Sequence, residues 1–139
     1  MNESALWQYL KRGMTGKWLA TRIESSAGNG VPDVTFTVPG KHGWMELKYI
    51  KEWPKRITTK VKLPLRPEQR LWINTRGQVA NNIWVLCRIE NSFYLLNHRT
   101  ADEACEGYNR VEWDKLCDMY WGDRIDFKQL YRILLNGGV

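Results

Sequence analysis

Asp33, Glu46 and Lys48 are the residues of this chain best suited by type and spacing to do chemistry. They lie in Gly30-Val31-Pro32-Asp33 and in Glu46-Leu47-Lys48, separated by an apolar run and by the stretch Pro39-Gly40-Lys41-His42-Gly43. Two carboxylates can hold a hard divalent cation through oxygen ligands. A lysine beside them can position a water or counter the charge that grows on a phosphate. Taken singly, Asp, Glu and Lys are far more often plain surface residues. Everything therefore depends on whether the chain brings the three to one place.

The element that must do so is a β-hairpin. A tight turn centred between Gly40 and Lys41 sets Asp33 opposite Lys48 and Thr35 opposite Glu46. Val34, Phe36 and Val38 then share one face of the first strand, and Met45, Leu47 and Tyr49 share one face of the second. Both apolar sets fall on the same side of the sheet. Asp33, Glu46 and Lys48 gather on the other side, expected as a polar face that does not build the core.

Around the hairpin the periodicity predicts a helix over 3–12, with Leu6 and Leu10 four apart and Trp7 beside them. A strand is expected over 18–24, with Leu19, Thr21 and Ile23 on one face and Arg22 and Glu24 on the other. Residues 25–30 read as a Gly/Ser/Asn loop. Pro67 suits the first turn of a helix that stops near Gly77. Residues 83–90 are a buried strand, turned at Asn91-Ser92 into a second over 93–96. The tail reads as helices at 102–105, 111–120 and 126–135. No repeat, low-complexity segment or linker interrupts the chain, so 1–139 is expected as a single domain.

The 139 residues carry a net charge of +6 and are 43% hydrophobic, enough for a packed core and against disorder. No apolar run approaches a membrane span, and the N-terminus lacks a signal-peptide pattern. Cys87, Cys105 and Cys117 form no Cys-x-x-Cys and are expected reduced, in a cytoplasmic protein or in host cytoplasm if the source is viral. His42 and His98 are too few and too far apart for a structural zinc site. Between residues 48 and 70 lie Lys48, Lys51, Lys55, Arg56, Lys60, Lys62, Arg66 and Arg70 against only Glu52 and Glu68. The whole excess charge thus adjoins Glu46 and Lys48. Such clusters supply most non-specific nucleic-acid affinity, whereas a scattered run would be a solvated loop. Arg22, Lys51, Lys55, Arg56, Lys60, Lys62 and Arg66 are the expected phosphate contacts. Of the eight tryptophans, Trp44 and Trp53 flank this region and could stack on bases or sugars, although such residues are more often core; Trp84, inside an apolar strand, is packing.

With Glu24, Gly30-Val31-Pro32-Asp33, Glu46-Leu47-Lys48, Pro67-Glu68-Gln69-Arg70-Leu71-Trp72 and this element order, residues 3–96 resemble the PD-(D/E)XK nuclease superfamily. The resemblance is to its VRR-NUC branch, with archaeal Holliday-junction resolvases as near relatives. It implies an α/β (α+β), restriction-endonuclease-like α-β-β-β-α-β core with a mixed central sheet, followed by extra C-terminal helices over about 100–136. It implies Mg²⁺ or Mn²⁺ held at Asp33, Glu46 and Leu47, with Lys48 as the catalytic lysine. A third carboxylate from the first helix matches Glu3, a role that competes with a favourable charge in a helical first turn. Glu24, where resolvase relatives also contribute a site residue, is the rival, and Gln69 is expected to border the site. The function expected is hydrolysis of DNA phosphodiester bonds, with branched DNA or a Holliday junction as substrate and a homodimer as the acting form. The alternative is an inactive nucleic-acid-binding protein of the same fold.

Overall fold

The computed structural model describes residues 2–16, 18–23 and 30–137. Its elements are α1 (Glu3–Gly13), β1 (Leu19–Arg22), β2 (Val34–Val38), β3 (Lys41–Ile50), α2 (Pro67–Gly77), β4 (Ile83–Ile89), β5 (Ser92–Asn97), α3 (His98–Glu106), α4 (Arg110–Leu116), β6 (Met119–Trp121) and α5 (Phe127–Leu135). Six strands form one sheet in the order β1-β2-β3-β4-β5-β6. Neighbours are antiparallel except β3 and β4, which run parallel because the connection carrying α2 crosses a face of the sheet. The mixed sheet and the α-β-β-β-α-β order are those expected from the sequence.

Helices cover both faces. Leu6, Trp7 and Leu10 of α1 and Leu130 and Leu134 of α5 pack on Val34, Phe36, Val38, Met45, Leu47, Leu86 and Leu95. On the other face Ile73 of α2, Ala101 and Ala104 of α3 and Trp113 of α4 pack on Ile83, Val85, Cys87, Ile89 and Leu96. A strand buried on both sides must be apolar at consecutive positions, which is why β4 reads Ile-Trp-Val-Leu-Cys without alternation.

Local signals place the helix ends. The Asn2 side chain accepts from the Ala5 amide at 2.8 Å, opening α1. Pro67 stands in the first turn of α2, where its missing N–H is not needed. The Asn97 side chain accepts from the amides of Arg99 and Thr100, so α3 starts at His98 and not at 102.

Four further expectations change. The β2–β3 turn is the two residues Pro39-Gly40, with Gly40 at φ 76, so Val38 already pairs with Lys41. Proline's fixed φ and glycine's access to positive φ close the turn one position earlier than a centre between Gly40 and Lys41. Thr35 consequently faces Trp44, not Glu46, and continuing the same register sets Asp33 against Glu46, not Lys48. The shift is two residues in the partner strand, so every side chain keeps its face. Second, the stretch of the hairpin's non-core face that carries Glu46 and Lys48 is enclosed beside α2, leaving them 1% and 8% exposed, while Thr37 and His42 on the same face are open to solvent. Third, the first strand is only Leu19–Arg22, and Leu19 points outward at 74% exposure while Ala20 packs against the core. Fourth, the helix expected to reach Tyr120 ends at Leu116, and Met119–Trp121 pairs with β5 as a sixth strand. The Asp118 amide donates to the Leu95 carbonyl at 2.9 Å and turns the chain onto the open sheet edge.

Candidate active site

The site forms where β2 and β3 stop pairing through their backbones. Beyond Val34–Met45 the Asp33 amide donates to Glu46 Oε1 at 3.2 Å, and the Leu47 amide donates to Asp33 Oδ2 at 3.2 Å. Each carboxylate thus takes the ladder bond that the opposite strand would have supplied. Period-two alternation carries Trp44, Glu46 and Lys48 to the same face of β3, away from Met45 and Leu47.

The second Glu46 oxygen is held from two sides. Gln69 Nε2 donates to Oε2 at 3.0 Å, and Lys48 Nζ lies 3.5 Å from the same atom. Gln69 is itself fixed, because its Oε1 accepts the Arg66 amide at 2.9 Å at the start of α2. This amide is 4% exposed, so its orientation is set by two partners and not by solvent. Gly30 itself makes a close approach to the start of α2. It is buried at φ 82, and a Cβ there would collide with the Glu68 carbonyl.

Burial dominates the electrostatics. Removal from water, and then the charge of Asp33, push the Glu46 carboxyl from its ordinary 4.5 up to about 8, with Lys48 pulling the other way. Behind it, Cys87 is the residue opposite Lys48 in the β3–β4 pair, and its thiol is raised by burial, lowered by the charge of Lys48 and raised by that of Glu3. The Glu3 carboxylate is exposed in the first turn of α1 and reaches this region only through its field. Arg22 donates to Ser4 Oγ at 3.3 Å, tying the end of β1 to the start of that helix. Glu24 lies outside the described residues. Among the described residues no three His, Cys, Asp or Glu side chains converge as a metal cluster. The donor set available to a cation is therefore the paired carboxylates of Asp33 and Glu46 with backbone oxygen. Oxygen-only donors fit a hard divalent ion, whose charge would displace the proton that burial holds on Glu46.

The basic residues lie on one connecting segment. Lys51, Lys55, Arg56, Lys60, Lys62 and Arg66 are all exposed between β3 and α2. The segment is pinned from below by Trp53 and Leu63, 7% and 2% exposed, and by a two-bond bridge between Val61 and Tyr108. Arg66 is 3.3 Å from Glu68, and Arg70 is committed to Asp102 and Glu106 at 2.7 and 2.8 Å. Trp53 stands edge-on to Tyr94 inside the core, so of the two flanking tryptophans only Trp44 keeps partial exposure. Sequence reasoning did not single out Trp72, although its place one helical turn after Gln69 aims it at the same face. A cavity of about 540 Å³ on the α1–α5 side is lined by Trp18, Phe127 and Tyr131 and contains none of the site residues.

No protein-family model matches this chain, and no curated protein matches it. Among solved structures it is similar to Hjc, a Holliday junction resolvase from the hyperthermophilic archaeon Archaeoglobus fulgidus, with 14% identity over 93% of this chain and 97% of that one. The TM-score is 0.55, and the likeness is one of fold: this chain's mixed six-stranded sheet and helices are consistent with a restriction-endonuclease-like α+β architecture.

Proposed function

We propose that this protein is a metal-dependent DNA endonuclease selective for branched DNA, and that Asp33, Glu46 and Leu47 hold its Mg²⁺ or Mn²⁺. The observation that carries this reading is the mutual capping of Asp33 and Glu46 beside a buried lysine. Stability alone gives no reason to bury that arrangement, because a desolvated carboxyl and ammonium stabilise the fold less than apolar residues would in the same space. When bound, the ion supplies Lewis-acid polarisation of a phosphoryl oxygen and a water of lowered pKa. Lys48 places its ammonium where charge develops on the attacking oxygen or the phosphoryl group. Gln69 orients Glu46 through a hydrogen bond that keeps one carboxylate oxygen turned inward. Glu3, at the open side, and Glu24 are the candidates for a third carboxylate. Arg22 and the segment from Lys51 to Arg66 track phosphates without reading base identity.

The fold shared with a Holliday junction resolvase supports the substrate class. Two incisions on a two-fold substrate need two sites, and this chain carries one, so we infer a C2 homodimer as the acting form. The test is a set of branched and linear DNAs incubated with Mg²⁺, Mn²⁺ or chelator, beside light scattering of the free protein. Ion-dependent cutting of junctions by a species of twice 16.4 kDa is expected. Junction binding without cutting at any ion concentration would instead establish the inactive, DNA-binding alternative.

A further inference from the structure

The site stands between two unlike ends of β3. Past Ile50 the chain enters the basic segment. Before Glu46, on the same face, come Trp44 and His42, and Trp72 of α2 closes on Trp44 with ring centroids 5.4 Å apart at 69°. His42 lies edge-on to Trp44 at 5.8 Å, its ring held between the Thr35 and Thr37 hydroxyls at 3.0 and 3.3 Å. The Arg76 guanidinium sits 4.6 Å from the Trp72 ring centre. A concavity of about 290 Å³ lined by Glu68, Leu71, Trp72, Thr75 and Arg76 opens beside this row. Trp44 and Trp72 are half-buried and His42 is exposed, unlike Trp53, Trp84 and Trp113, which the core encloses.

Aromatic side chains combined with cationic ones along the strand's path are how proteins hold single-stranded DNA, since every base offers a π face whatever its sequence. A paired base cannot stack on a protein ring without leaving its helix. We propose that Trp44, Trp72 and His42 form a stacking subsite for unpaired bases of the strand whose phosphate lies at Asp33 and Glu46. The basic segment then holds duplex on one side of the cut, and the aromatic row holds splayed nucleotides on the other. The substrate class that follows is a duplex-to-single-strand boundary. This inference rests on the nuclease reading and sharpens it.

The experiment is equilibrium binding of the full chain, in chelator, to a blunt duplex and to the same duplex bearing an unpaired tail on either strand end. A 2-aminopurine at the first unpaired position reports stacking. Wild type is expected to prefer a tailed DNA by about tenfold or more, with 2-aminopurine quenched on binding. Trp44→Leu with Trp72→Leu, checked for folding by thermal melt, should remove the preference and the quenching together. His42→Ala, at an exposed position, should reduce both without risk to the core. No tail preference in wild type, or a preference intact in the folded double variant and in His42→Ala, overturns the subsite. Because binding is read without metal, the two readings fail separately. Tryptophan-dependent tail binding by a protein that never cuts would retain the subsite and sink the nuclease.

Discussion

The two faces of β3 obey different rules. On one, Met45 and Leu47 are sealed by α1 and α5 in a core that is apolar throughout. On the other, Glu46 and Lys48 are buried almost as deeply, yet at the margin of a second apolar cluster. Alternate residues of a single strand thus go into an environment that rewards burial and into one that opposes it. Apolar side chains would stabilise the second face better, and the proposed nuclease reading gives its buried polar groups a use.

That contrast can be broken at its strongest point first. Asp33→Ala should reduce cleavage to background while the protein stays folded, because Asp33 is half-buried and its loss strands the Leu47 amide but no charge. Glu46→Ala is a poorer probe, since it strands the Lys48 ammonium and the Gln69 amide without an acceptor. Cutting at the wild-type rate by folded Asp33→Ala would remove the site from this face.

On the apolar face the damage should run the other way. Phe36→Ala is expected to lower unfolding free energy by about 3–5 kcal/mol, with turnover per folded molecule unchanged. Denaturant titration beside active-site-normalised rates decides it, and a specific loss of turnover would erase the division between the faces.

Lys48→Ala should slow cleavage by on the order of a hundredfold or more, as for loss of one electrostatic stabiliser. Single-turnover rates at saturating Mg²⁺ measure this, and a normal rate would make the lysine a structural counter-charge only.

The raised Glu46 carboxyl predicts a pH signature in the metal-free protein. Its proton is retained in the fold up to about 8 but only to its ordinary 4.5 in the unfolded chain. Between those values the folded state binds more protons, so stability should fall as pH rises through the window, by on the order of a few kcal/mol. Glu46→Gln should flatten that slope. Chemical denaturation in chelator at several pH values would show it, and equal slopes in both proteins would mean that Glu46 is ionised throughout.

The smallest expected effect concerns the exposed segment that leaves this face. Neutralising Lys55, Arg56, Lys60 and Lys62 should weaken DNA binding without removing cleavage. The slope of log affinity against log salt should shrink by about 0.9 for every phosphate that the protein no longer neutralises. An unchanged slope would leave the segment as a solvated connection.

Local pattern was enough to establish the parity of the hairpin, and hence that Asp33, Glu46 and Lys48 share a face. Period-two alternation belongs to each strand alone, and it survived a turn that closes one position early at Pro39-Gly40. The α2 boundaries were legible for the same reason, from Pro67 and Gly77. Which residue opposes Asp33, how deeply Glu46 is buried and where Gln69 points were settled by packing in three dimensions. They depend on where the crossover helix docks, and that is set by Ile73 packing against β4, the next element, and α3, which follows β5. The strand Met119–Trp121 is another such case: three residues form it because β5 offers an open edge, and their own sequence pattern reads equally well as the end of a helix. Trp44 and Trp53 look alike in sequence, and the fold encloses one while leaving the other half open beside the carboxylates, since exposure belongs to the packing and not to the residue.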